Sequence, residues 1–148
     1  MAGESKSFDL TYLDNGEVKI HSFEIKLMTI ACLKEYDAIN KDVQECLELY
    51  QENTENEQKM IECSKEKKQK LIDRNEVIYQ KIAGIHASGI GGRRIDLIIK
   101  ILKNNQVDKR FLNPEMWEES VGIETMVMFL DSVIQKDIDK KKAEMLGI

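Results

Sequence analysis

The stretch FDLTYLDNGEVKI, residues 8–20, alternates Phe8, Leu10 and Tyr12, breaks at Asp14-Asn15-Gly16-Glu17, and resumes with Val18 and Ile20. Asn-Gly between two alternating runs is the strongest short signal for a β-hairpin, because both residues accept the positive φ of a type I′ turn. A hairpin is therefore expected over residues 8–28. Phe23, Ile25 and Leu27 are odd-numbered whereas Val18 and Ile20 are even, a change of phase that a bulge near His21-Ser22 would produce. Two strands alone are marginal in water. The hairpin must pack on a helix or pair with strands of another chain.

Beyond the hairpin the pattern turns helical. Thr29 is a suitable N-cap for a helix to about Tyr50, with Leu33, Tyr36, Ile39, Val43, Cys46 and Tyr50 forming one stripe. Gln51 to Lys59 contains no hydrophobe and reads as a solvated connector or an exposed helical extension. A second helix spans about Met60 to His86, with Ile61, Leu71, Asn75, Ile78, Ile82 and Ile85 on its stripe. An antiparallel helical hairpin over residues 29–86 is favoured over a charged coiled-coil arm.

Gly84 to Gly92 should be a hinge or loop, followed by a helix from Arg93 to Asn104 that is apolar nearly all round and central to the core. Asn113 caps a further helix with Pro114 at its first position and Glu115 in its first turn. A closing helix runs from about Ile123 to Glu144, with Met126, Phe129, Leu130 and Val133 on a broad face. The expected fold is thus mainly α with a small N-terminal β-hairpin (α+β), a helical bundle or helical hairpin of about five helices. At 148 residues a single domain is expected, residues 87–148 forming its C-terminal helical part.

Charge and chemistry narrow the functional classes. The net charge of −5 arises from interspersed acids and bases, so a phosphate-binding face and a nucleic-acid partner are not expected. Neither a secretory h-region nor an apolar run of about 18 residues occurs, so no membrane association and a cytoplasmic location are expected. Cys32, Cys46 and Cys63 form no C-x-x-C pair, which suits buried thiols in a reducing compartment and no metal site. His21 and His86 stand apart from any nucleophile signature, so no catalytic residue is named. Gly84-x-x-x-x-Gly89 resembles half a P-loop, but Ile90 and Gly91 stand where Lys and Ser/Thr are needed. Neither an enzyme activity nor a cofactor is expected. Met116, Trp117, Met126 and Phe129 are candidate partner contacts, since methionine and tryptophan suit adaptable binding surfaces. Filling the core between the last two helices is the more ordinary use of Trp117 and Met126.

Two stretches resemble the tail assembly chaperones of long-tailed bacteriophages. One is the hairpin around Asp14-Asn15-Gly16 with Phe23-Glu24-Ile25-Lys26-Leu27 and Thr29 opening a helix. The other is Ile98 to Asn105 followed by Asn113-Pro114-Glu115-Met116-Trp117-Glu118-Glu119, similar to that family's acidic Pro-x-x-Trp segment. The resemblance implies a non-enzymatic protein of the host cytoplasm, absent from the finished virion. It would coat the hydrophobic tape measure protein, help recruit tail tube protein, and gain from homo-oligomerisation. The competing expectation is an acidic helical phage protein that inhibits or regulates a single host protein.

Overall fold

The computed structural model describes residues 6–135. It is mainly helical with an N-terminal hairpin, the expected α+β class. The chain groups into two compact units, residues 6–37 together with 91–135, and Ala38–Ile90.

In the first unit, β1 (Lys6–Asp14) and β2 (Glu17–Ile25) pair antiparallel from Asp14↔Glu17 to Lys6↔Ile25. Asn15 and Gly16 have φ of 52° and 81°, the two positive values the turn demands. The register is unbroken, so the expected bulge at His21-Ser22 is absent. The phase change has another origin. Leu10, Tyr12, Phe23 and Ile25 share the buried face, while Leu13, Val18 and Ile20 share the opposite one.

Thr29 opens α1 (Ile30–Met60), its hydroxyl accepting from the Cys32 N–H at 3.3 Å. The first turns of α1 bury Cys32 and Tyr36 in this unit. α3 (Ile90–Lys103) supplies Ile95, Leu97, Ile98, Ile99, Ile101 and Leu102, the all-round burial its composition implies. A 3-10 turn at Lys109–Leu112 leads to α4 (Pro114–Ser120), where the Asn113 side chain accepts from the Glu115 N–H. α5 (Ile123–Leu130) then passes into a single π-helical turn, Asp131–Gln135. The expected closing helix beyond residue 135 lies outside the described residues.

An aromatic cluster joins these pieces. Phe23 packs edge-on against Phe111 at 4.9 Å and Phe129 at 6.0 Å, and Trp117 lies 6.1 Å from Phe129. The buried Trp117 indole N–H donates to the Phe111 carbonyl at 2.7 Å, which satisfies both groups away from water. Asn105 acts as a short substitute strand at the end of β2. Its Oδ1 accepts from the Lys26 and Leu27 N–H groups, and its Nδ2 donates to the Leu27 carbonyl.

The second unit comprises α1 from Ala38 onward and α2 (Lys65–Ala87), an antiparallel helical hairpin as favoured from the sequence. Glu52 meets Arg74, Asn56 meets Asn75, and Tyr50 meets His86 across the pair. Gln51 to Lys59 is helical and does bury a face, with Asn53 and Asn56 in the seam. The turn falls later, at 61–64, and Ser64 caps α2 by accepting from the Lys67 N–H. Two stripe assignments change accordingly. Leu49 is buried where Tyr50 was expected, and Ile61 is exposed in the turn. The glycine-rich stretch is also mostly helix: α2 runs to Ala87, Gly89 alone takes the left-handed region at φ +69°, and Gly91 and Gly92 lie inside α3.

Candidate protein-binding surfaces

An antiparallel sheet with one face on a core normally presents a polar face to water. Here the solvent face of the hairpin carries Leu13, Val18 and Ile20, 49%, 69% and 68% exposed. Leu13 and Val18 are direct cross-strand partners, and Ile20 lies one pleat further along β2 opposite Thr11. Their side chains therefore form one apolar patch near the turn, rather than scattered single residues. The remainder of that face is polar, with Ser22 donating to Asp9 at 2.5 Å. Beside the patch a groove of about 360 Å³ runs between β1–β2 and residues 119–125, with Leu13, Val18, Val121 and Thr125 among its walls.

The turn end carries an ion pair. Lys19 donates to Asp14 at 2.7 Å, holding the Asp14 carboxyl below and the Lys19 ammonium above their ordinary ranges. Asp108 caps the 3-10 turn through the Arg110 N–H, which likewise lowers its carboxyl pKa.

In the second unit the seam has the three- and four-residue spacing of a coiled coil: Cys46, Leu49, Asn53 and Asn56 on α1, and Leu71, Asn75, Ile78, Ile82 and Ile85 on α2. Its two flanks differ. One is closed by the bidentate Glu52–Arg74 pair at 2.6 and 2.9 Å, which holds the Glu52 carboxyl low. The other carries Tyr50 against His86 at 3.1 Å and Tyr79 against Glu57 at 3.5 Å. Heptad spacing adds Leu47 on α1 and Ile72 on α2 to that second flank, both exposed. Within the seam, Asn56 donates to Asn75 at 2.9 Å, but buried Asn53 Oδ1 has no partner.

Of the residues expected to contact a partner, Trp117, Met126 and Phe129 are buried and only Met116 is half-buried. Trp117 and Phe129 lie in the aromatic cluster. His21 packs edge-on against Phe23 at 4.8 Å and at a tilt over Phe111 at 4.4 Å, a packing role. The three cysteines are free thiols, Cys32 and Cys46 buried and Cys63 half-buried. No cluster of three or more His, Cys, Asp or Glu suited to a metal ion occurs among the described residues. No helix among them is long and apolar enough to cross a membrane.

The exposed sheet patch was legible in the sequence as the phase change between Ile20 and Phe23, which alternation alone assigns equally well to a bulge. The two-flanked hairpin was hidden because Asn53 and Asn56 occupy positions where a hydrophobic scan finds nothing. No protein-family model, curated protein or solved structure matches the chain.

Proposed function

We propose that the protein is a non-enzymatic tail assembly chaperone of a long-tailed bacteriophage, one that holds the tape measure protein soluble and assists tail tube assembly in the host cytoplasm. The observation that carries this reading is the Leu13–Val18–Ile20 patch, an apolar face left in water on a sheet whose other face already has its core. Such a patch is costly in a free chain and gains on covering, at roughly 25 cal/mol per Å² of apolar surface removed from water. A helix laid across a two-stranded sheet is an ordinary way to cover it, and an unassembled rod of amphipathic helix offers the matching stripe. Both stretches that resemble the chaperone family belong to the unit that bears the patch.

The test is co-expression with a long coiled-coil tape measure protein, comparing its soluble yield with and without this chain and weighing the complex by light scattering. Many copies per rod, lost in the doubly charged variant Val18→Glu/Ile20→Lys, support the reading. Both side chains are exposed, so the variant keeps the core intact. A rod that stays insoluble refutes it, and a complex of one or two copies with a different protein would point to a single-target regulator.

A further inference from the structure

We propose that the turn end of the helical hairpin, residues 58–73, is a clasp that unzips as one unit while the base of the pair stays closed, with Asn53, Asn56 and Asn75 as its stop. Burial along the pair supplies the first argument. At the base, Cys46, Leu49, Ile78 and Ile82 are buried against one another, with Ile85 packed on them. Between Asn56 and Asn75 no side chain is buried; Met60, Cys63, Leu71 and Arg74 are half-buried and the rest are exposed. In place of a packed seam there is an open groove of about 560 Å³, with Lys59, Cys63, Lys67, Lys70 and Leu71 among its walls. Apolar burial is the main force that holds two helices together, so this pair is firmly closed at one end and weakly at the other.

Polar links divide the pair at the same place. Glu52–Arg74, Asn56–Asn75 and Glu57–Tyr79 cross between the helices at the asparagines or towards the base. The bonds found beyond them are local: Gln69 donates to Asp73 along α2, Cys63 to the Met60 carbonyl in the turn, and the Lys67 N–H to the Ser64 cap. The asparagines make a stop for a physical reason. Unzipping as far as Asn56 and Asn75 gives their amides water in place of each other, a nearly even exchange. One step further strips Leu49 and Ile78 of their apolar contacts, which is costly. With no packing to hold them, the freed helical ends are marginal in water and fray. Opening uncovers Met60 and Leu71, so the clasp gates access to the end of the seam.

The experiment is native-state hydrogen exchange of the full chain across sub-denaturing urea. The amides of 58–60 and 69–73 should exchange together through an opening with little urea dependence, roughly ten-fold or more less protected than those of Ile78 and Ile82. Exchange at Ile78 and Ile82 should instead rise steeply with urea. Ile82→Val should speed exchange at Ile78 by roughly five-fold and leave the clasp amides unchanged, because the contacts it weakens survive the opening. Lys67 lies four residues before Leu71 and lines the groove, so Lys67→Leu should fill it and slow the clasp amides roughly ten-fold. Equal protection and equal urea dependence along the whole pair would overturn the proposal. So would clasp amides that speed up with Ile82→Val or are indifferent to Lys67→Leu. None of these outcomes depends on a client, so the clasp and the chaperone reading fail separately.

Discussion

Asn53 and Asn56 lie three residues apart on the same seam, yet only the first should gain stability when replaced with leucine. Asn53 is 8% exposed, its Oδ1 has no partner, and its Nδ2 makes only long bonds to Glu57 and Tyr79 at 3.4 and 3.3 Å. Leucine there removes a buried orphan acceptor worth about 1–3 kcal/mol and adds apolar burial, while Glu57 and Tyr79 turn to water. Stabilisation by about 2 kcal/mol is expected. Asn56 differs because its Nδ2 donates to buried Asn75 at 2.9 Å. Leucine at that position strands the Asn75 amide, and the penalty of about 1–3 kcal/mol offsets the gain in burial. Asn56→Leu should therefore be neutral or destabilising. The assay is urea unfolding of the full chain, with native-state hydrogen exchange at the Ile78 and Ile82 amides as the local readout. Loss of more than about 1 kcal/mol on Asn53→Leu, or equal shifts for both variants, would refute the reasoning.

Three further outcomes follow from the same geometry. Trp117→Phe leaves the buried Phe111 carbonyl without its donor and opens space beside Phe129, so a loss of about 3 kcal/mol in chemical denaturation is expected. Asn105→Ala removes the substitute strand, so the Lys26 and Leu27 amides should exchange with deuterium faster while the Leu10 amide is unchanged. Glu52 has its carboxyl pKa lowered below 4.5 by the hydrogen bond from Arg74. Its contribution is therefore present above the unfolded-chain value and is lost as pH falls through the lower folded value. Glu52→Gln should lower Tm at neutral pH and converge with wild type in acid; a gap that widens in acid would contradict this. The pair is largely exposed, so the difference should be small.

The turn at Asn15-Gly16, the Thr29 cap, the Asn113-Pro114 start and the buried α3 were all readable in the sequence, because each is fixed by neighbours within a few residues. Local chemistry is sufficient there: a positive φ, an unfilled donor or an all-round apolar helix has few alternatives. Periodicity also announced the antiparallel pair of α1 and α2. What it misjudged depends on partners distant in the chain. Gln51 to Lys59, without a hydrophobe, reads as a solvated connector or an exposed helical extension, yet Asn56 is buried because Asn75, nineteen residues away, completes its amide. Val18 and Ile20 were assigned to a strand correctly, but whether they turn inward through a bulge or outward into water was decided by an unbroken register with β1. Trp117 and Phe129 were legible as large apolar side chains, while their place in the core was set by Phe111 and Phe23 meeting them from other elements. Hydrophobic pattern states which side chains avoid water, and only tertiary packing supplies enough neighbours to decide which of them succeed.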